Sequence, residues 1–273
     1  MLQRSPTYFV SRPDEDRVAL FLKKFLPKSL VYALIRFKNV YIQQSLFKRV
    51  RAFPDRSKKF LIDQVKKELP DFDVDKHFTP SYNPWEQRMC LIPNSDFFNA
   101  IKDKSATVVT DHIEAFEENG IKLKSGDFLE ADIIVTATGL VLQNFGGVNI
   151  SVNNNPVNVS ETMTYKSLMY SDIPNFVNSF GYINASWTLK ADLTSTYLCR
   201  LIKHMDQNNY LSACPKKPLD VDETYDWLKD FSSGYIQRSI GLHPQQGSKK
   251  PWVNYQDYIK DWFDVKFSKL EDG

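Results

Sequence analysis

The sequence predicts an α/β protein, because helical and strand-like patterns alternate along its 273 residues. Apolar residues recur at helical spacing from about residue 14 to residue 70, and short strand-like runs separated by turn signals fill 105–140. A second long helical pattern begins at Trp187. With 42% hydrophobic residues, the chain can build a substantial core, so we expect one large or two medium domains.

Composition and charge exclude several classes of function. The net charge is only +2, with 35 basic and 33 acidic residues, so overall charge gives no argument for a nucleic-acid partner. The three cysteines show neither a zinc pattern nor an even disulfide framework, and the four histidines lack metal-ligand spacing. We therefore expect no metal site. No apolar run reaches the roughly 18 residues of a membrane helix, and a cytoplasmic location is expected.

The segment from residue 14 to residue 70 is predicted to form two or three helices. Its middle carries apolar residues at helical spacing, namely Leu30, Leu34, Phe37 and Tyr41. Prolines punctuate it, namely Pro13, Pro27, Pro54 and Pro70. Only two acidic residues lie between Lys23 and Lys67. We favour a solvated basic face there, and binding of these helices to an acidic partner or a membrane surface stays open as an alternative.

Three further segments follow. Residues 71–104 are predicted to be loop-like, because prolines and aromatic residues are dense there. Residues 105–140 are predicted to form a β-meander with turns at Asn119-Gly120 and Ser125-Gly126. Beyond residue 141 we expect strands around 174–182 and then a helix whose buried face carries Leu189, Leu193, Tyr197 and Leu201.

The stretch "ADIIVTATGL", residues 131–140, predicts a buried strand at Ile133–Val135 that ends in small residues. Small residues at a strand end let a flat ligand approach the backbone, and ligands of open α/β sheets bind at the carboxyl ends of strands. Thr138 and Gly139 are therefore candidate cofactor-binding residues. A plain tight turn explains the same pattern equally well.

Three long blocks resemble one family, the class B flavoprotein monooxygenases of the Baeyer–Villiger type. They are "ADIIVTATGL", "HFTPSYNPWEQRMCLIPNSDFF" and "GYINASWTLKADLTSTYLCRL". The most similar subgroup includes the bacterial ethionamide-activating monooxygenases. The resemblance implies a two-dinucleotide-binding-domain flavoprotein, in which 1–140 is the C-terminal part of a Rossmann-like NADPH domain with a helical insertion at about 14–70. Residues 141–273 are then the C-terminal part of the FAD domain with a tail.

The same resemblance implies an activity: FAD- and NADPH-dependent oxygenation of a small-molecule ketone or sulfur compound by molecular oxygen. The family's G-x-G-x-x-G motif, which holds the FAD pyrophosphate, does not occur in these 273 residues. We therefore expect the C-terminal half of a monooxygenase. It either assembles with a separate N-terminal half or is an inactive truncated remnant.

The resemblance also assigns individual residues. Arg4 matches the arginine that pairs with the 2′-phosphate of NADPH, and Ser5 matches a hydroxyl residue beside it. Arg88 matches the catalytic arginine, although Gln87 stands where many relatives carry lysine. Asn184, Ser186 and Trp187 begin the helix whose N-terminus faces the flavin ring, and capping of that helix is their simpler role.

Overall fold

The computed structural model of the protein describes residues 1–217, 228 and 231–272. The chain divides into two compact units. The first consists of Met1–Asn39 and Ser45–Gly139, and the second of Val40–Gln44 and Leu140–Gly273. The five residues Val40–Gln44 thus belong to a different unit from the residues on either side of them.

The elements are numbered in chain order. Those before residue 140 are β1 (Leu2–Gln3), β2 (Phe9–Arg12), α1 (Arg17–Leu22), α2 (Lys28–Ala52), α3 (Pro54–Glu68), α4 (Val74–His77), β3 (Cys90–Pro93), α5 (Asp96–Lys102), β4 (Val109–Thr110), β5 (Ile113–Glu117), β6 (Gly120–Leu123) and β7 (Phe128–Glu130). Those after it are β8 (Ser151–Val152), β9 (Asn155–Pro156), β10 (Thr164–Tyr165), β11 (Met169–Tyr170), α6 (Trp187–Asn208), α7 (Gly234–Gln237) and α8 (Tyr258–Phe267). Short 3-10 turns lie at Asn144–Gly147, Val159–Glu161 and Ile240–Leu242.

The predicted helices between residues 14 and 70 are confirmed as α1, α2 and α3. The carboxylate of Asp16 begins α1 by accepting hydrogen bonds from two backbone N–H groups of the first turn, and Pro54 occupies the first turn of α3. The apolar residues of α2 are largely exposed, with Phe37 at 73% and Tyr41 at 58%. The buried positions of α2 are instead Val31 and Gln44.

Residues 71–104 contain more regular structure than the predicted loop. Asp73 caps α4, and β3 pairs in parallel with β2 from Phe9↔Cys90 onward. The strand was missed because its partner is about 80 residues away and Pro93 ends it, so neither local pattern nor length identified it. The expected N-terminal strand is short, since β1 covers only two residues and pairs in parallel with β4.

The predicted β-meander is confirmed as the antiparallel sheet β5-β6-β7. Gly120 has a φ of +157° and packs against the backbone of β7, so a side chain there would collide with the carbonyl of Leu129. The glycine of the Asn119-Gly120 turn signal therefore also permits the pairing of β6 with β7.

The strand predicted at Ile133–Val135 is wrong. Residues 132–140 are irregular and exposed, with Ile133 at 82% and Val135 at 85%. A strand is stable only beside another strand that takes its backbone hydrogen bonds, and the described residues place none along this segment. The strands expected around 174–182 are also absent from the structure, which has an irregular segment there.

The core of the second unit forms around α6. The predicted buried face is confirmed, because Leu189, Leu193, Tyr197 and Leu201 are all buried. They pack in one cluster with β10, β11 and α8. Inside this packing, Lys190 and Asp261 form a buried ion pair with an Nζ–Oδ2 distance of 2.8 Å. No helix in the described part of the chain combines the length and apolarity needed to span a membrane.

Candidate functional site

The N-terminus of α6 carries a buried polar group that lacks a protein partner. The Asn184 side chain is 3% exposed, and its Nδ2 donates to the Gln256 carbonyl at 3.0 Å. That contact fixes the orientation of the amide, because a carbonyl requires a donor. Its Oδ1 is left buried without a hydrogen-bond donor. Such an atom costs about 1–3 kcal/mol, so this position suits a ligand that supplies an N–H or O–H.

Capping of α6 differs from the expectation. Ser186 occupies the position before the helix, but its side chain makes no capping bond and contacts the Thr188 hydroxyl at 2.8 Å. Asn184 lies two residues further out and is held by Gln256 instead. The N-terminus of this 22-residue helix therefore presents its partial positive charge without a side-chain cap.

An aromatic pair lies beside Asn184. Trp187 is 51% exposed, and its ring lies 5.1 Å from that of Phe180. Gly181 makes this arrangement possible, because a Cβ at that residue would lie only 2.1 Å from the indole Cγ. Sequence reasoning sought such a close approach at Gly139 and missed it at Gly181. The Phe-Gly-Tyr triplet directly before the Asn184 segment was the signal available.

The segment that carries Asn184 is anchored on both sides. The Ile183 N–H donates to the Gln256 side chain at 2.9 Å. Tyr182 donates its hydroxyl to Asp261 at 2.7 Å, and the same carboxylate oxygen accepts from Lys190. Burial and the adjacent charge of Asp261 raise the pKa of Tyr182, so its phenol stays a neutral donor. Gln256 and Asp261 are supporting residues that carry no recognisable local motif.

Arg88 lies in a different environment, in the first unit. It is exposed and lies two residues before β3, after a turn in which Trp85 has a φ of +68°. Glu86 braces this turn by accepting hydrogen bonds from both the backbone and the side chain of Asn83, each at 2.9 Å. The hydrogen bonds between Asn83 and Glu86 therefore hold the backbone turn that precedes Arg88.

The remaining predicted residues lie in the first unit. Arg4 and Ser5 are exposed and follow the carboxyl end of β1, the strand that pairs in parallel with β4. Thr138 and Gly139 lie in the exposed segment after the meander, and Gly139 has a φ of +102°. The structure brings Asn184, Ser186 and Trp187 together at one helix end and places Arg4 next to Ser5.

Within the described residues, no group of three or more histidine, cysteine or acidic side chains is arranged to hold a metal ion. The residues at the start of α6 offer a hydrogen-bonding amide and an exposed aromatic ring, which suit a flat heteroaromatic ligand.

Comparisons with known proteins give one consistent answer. Along its whole length the chain is 45% identical to the FAD-containing monooxygenase EthA of Mycobacterium tuberculosis and 45% identical to that of Mycolicibacterium smegmatis. It is 41% identical to the probable FAD-binding monooxygenase AlmA of Acinetobacter baylyi. Over its whole length the chain is similar to part of the EthA-like FAD monooxygenases. No family model and no solved structure matches it.

The similarity covers all of this chain but only part of each relative. All of the chain is aligned, but it spans only about half of the length of these relatives, 56% of the Mycobacterium tuberculosis EthA and 55% of the Acinetobacter baylyi AlmA. This similarity confirms the resemblance drawn from the three sequence blocks.

Proposed function

We propose that this chain is one part of an FAD- and NADPH-dependent monooxygenase that oxygenates small-molecule ketones or sulfur compounds. The observation that carries the proposal is the buried Asn184 Oδ1, which awaits a donor at the N-terminus of α6. The names of the relatives support the FAD part, since each is called an FAD-containing or FAD-binding monooxygenase. NADPH and the ketone or sulfur substrate rest on the family resemblance.

The residues at the start of α6 fit a flavin ring. A flavin carries an imide N–H that can donate to Asn184 Oδ1, and the half-exposed Trp187 indole offers a flat apolar face to its ring. The partial positive charge of the helix favours the ring when it is electron-rich. When bound, FAD would accept a hydride from NADPH and activate oxygen. This chain orients the ring, and the Lys190–Asp261 pair holds the helix that does so.

The arginines serve the anionic groups in this proposal. Arg88 keeps its charge at any working pH, so it can stabilise negative charge that develops on oxygen and then hold the oxidised nicotinamide. Arg4 and Ser5 bind the 2′-phosphate of NADPH, for which a planar guanidinium is well suited. Thr138 and Gly139 contribute small side chains that let the cofactor approach the backbone.

Complementation tests the proposal. The chain is co-expressed with the portion of Mycobacterium tuberculosis EthA that it does not match, and the purified complex is assayed for bound FAD and oxygen consumption with NADPH. We expect substrate-dependent oxygen consumption with a ketone or a thioether, and its loss in Arg88→Ala at unchanged FAD content. A folded complex that retains FAD and does not oxidise NADPH would contradict the proposed activity and favour an inactive remnant.

A noncatalytic docking role is the second candidate. Between Lys28 and Ala52, α2 carries six basic residues and no acidic one, and it exposes aromatic side chains such as Phe37 and Tyr41. Such a surface suits an acidic partner or an anionic membrane. Co-sedimentation with phosphatidylserine vesicles tests it: binding should fall steeply as salt rises, and binding that salt leaves unchanged would count against this role.

A further inference from the structure

A cavity of about 420 Å³ lies in the second unit, beside the C-terminal half of α6. Leu201 and Met205 of that helix line it, together with residues 212–215 and 270–272. An α-helix rises about 1.5 Å per residue, so Leu201 lies roughly 20 Å along the axis from Trp187, where α6 begins. The cavity is therefore separate from the site at the start of α6.

The cavity has an aromatic and sulfur-containing lining. Tyr165, Met169 and Tyr197 are buried, and Met205 and Cys214 add a second thioether and a thiol. Thioether sulfur makes favourable contacts with aromatic rings, and tyrosine rings pack edge to face against them. Small-molecule sites typically measure about 300–1,000 Å³ and are mostly apolar with a few polar groups. The volume and the lining therefore suit a ligand with an aromatic body.

The tyrosine rings of this lining already hold one cation. The Nζ of Lys166 lies 5.0 Å from the centre of the Tyr165 ring and 5.6 Å from that of the Tyr197 ring. It also lies 2.9 Å from Oδ1 of Asp272, which accepts a hydrogen bond from the Tyr165 hydroxyl as well. The charge of Asp272 is therefore neutralised within the protein, and this carboxylate is not left for a ligand.

Glu271 supplies a carboxylate whose charge is not neutralised. His204 Nε2 lies 2.7 Å from its Oε1, and the Asn208 amide N–H group donates to His204 Nδ1 at 3.3 Å. An amide nitrogen only donates, so Nδ1 is the acceptor and Nε2 carries the ring proton. Within the described residues, Oε2 of Glu271 has no hydrogen-bond partner. The uncharged His204 therefore orients Glu271 and leaves its negative charge for a ligand.

We propose that this cavity is a second ligand site, which binds a small aromatic amine. The ring of the ligand lies among the buried tyrosine and methionine side chains, and its ammonium group pairs with Glu271. The hydroxyls of Tyr210 and Ser212, which also line the cavity, can accept hydrogen bonds from the same ammonium group. An anion of the same size would be repelled by Glu271. This site is independent of the flavin and of the proposed oxygenation.

Two naphthalene probes of similar size and opposite charge, naphthylethylamine and naphthylacetate, test the inference. Isothermal titration calorimetry with the whole chain gives the affinity of each probe. We expect the amine to bind about tenfold more tightly than the carboxylate. Equal affinities, or no binding of the amine, would overturn the inference.

Ser212→Trp tests whether the amine occupies this cavity. The larger side chain fills part of the volume, so we expect the affinity for the amine to fall by at least about tenfold. Leu211→Trp is the matched control, because Leu211 is 93% exposed and does not line the cavity. Thermal unfolding confirms that both variants fold. Undiminished binding of the amine to a folded Ser212→Trp would place the amine elsewhere and overturn the site.

Glu271→Gln tests the charge. The variant keeps the volume of the side chain and an oxygen that can accept from His204, so we expect only the preference for the amine over naphthylacetate to disappear. Asp206→Asn, at an exposed position of α6 that does not line the cavity, should keep that preference. A preference that survives Glu271→Gln would overturn the role of Glu271.

Discussion

At the scale of single residues, the start of α6 depends on close packing contacts. Gly181 lies directly under the Trp187 indole, and Lys190 is 1% exposed inside the α6 packing. The resemblance placed Asn184, Ser186 and Trp187 at the start of a helix, and α6 begins at Trp187. It did not identify Gly181 or Gln256, because close approach and backbone anchoring follow from tertiary packing and leave no periodic signal.

Gly181→Ala should displace the indole of Trp187 and weaken flavin binding. The added Cβ would lie 2.1 Å from the indole Cγ, and the half-exposed ring can yield by rotating away. We expect a loss of about tenfold in riboflavin affinity, which corresponds to about 1.4 kcal/mol, with the fold retained. Gly241→Ala is the control, since a Cβ there meets nothing within 4 Å. Equal affinities in both variants would mean that Trp187 does not contact the ring.

Lys190→Met should be among the most destabilising single changes in the second unit. It leaves the buried Asp261 charge without its cation, which costs about 3–5 kcal/mol. The exposed pair Lys59–Asp63 offers the comparison, and Lys59→Met should cost less than about 1 kcal/mol. Urea unfolding measures the free energy of unfolding of both variants. A similarly small loss in the two would show that Lys190 and Asp261 do not form a buried ion pair.

At the scale of elements, the sequence was most informative where a signal is local. Proline spacing marked α1, α2 and α3, the periodic apolar residues marked α6, and the Asn119-Gly120 turn marked the meander. The pairing of β2 with β3 joins residues about 80 positions apart, so no local window contains it. The burial of Gln44 likewise leaves no periodic signal in α2, whose apolar residues are largely exposed.

The cap of α1 predicts a pH dependence. Asp16 accepts hydrogen bonds from Lys38 and from the first turn, and chiefly the Lys38 contact lowers the pKa of its carboxyl group. A lowered folded-state pKa means that its stabilisation is present above the unfolded value, near 3.9, and is lost as pH falls through the folded value. Asp16→Ala should cost about 1 kcal/mol at pH 7, and this difference should shrink below pH 4.

Urea unfolding of Asp16→Ala at pH 7 and at pH 3 measures this change. Asp14→Ala, an exposed position two residues before the cap, serves as the control. A difference between Asp16→Ala and wild type that stays constant across this range would mean that the charge of Asp16 contributes nothing to the cap.

At the scale of the whole molecule, the exposed segment after the meander favours self-association of the isolated chain. Ile133, Val135 and Val141 are each more than 70% exposed, although such residues are typical of buried strands. The sequence pattern of 131–140 predicted a buried strand, whereas the described residues place no strand beside this segment. Unpaired apolar backbone of this kind favours self-association.

Ile133→Lys with Val135→Lys should therefore make the isolated chain more monomeric. Charged side chains at these positions oppose edge pairing with another copy. Light scattering at increasing concentration measures the change, and the same variant should fail to complement the EthA portion if that portion covers this segment. Unchanged self-association would mean that another surface mediates it, for example the exposed aromatic residues of α2.

The membership of Val40–Gln44 in the second unit has a genetic consequence. A gene segment that starts at Leu140 would encode most of that unit and would omit Gln43, whose side chain donates a hydrogen bond to the Asn184 carbonyl. Recombination could not transplant this unit between proteins as one continuous piece. Its inheritance is therefore tied to a helix encoded about 100 codons upstream, and exchanges between relatives should preserve both stretches together or neither.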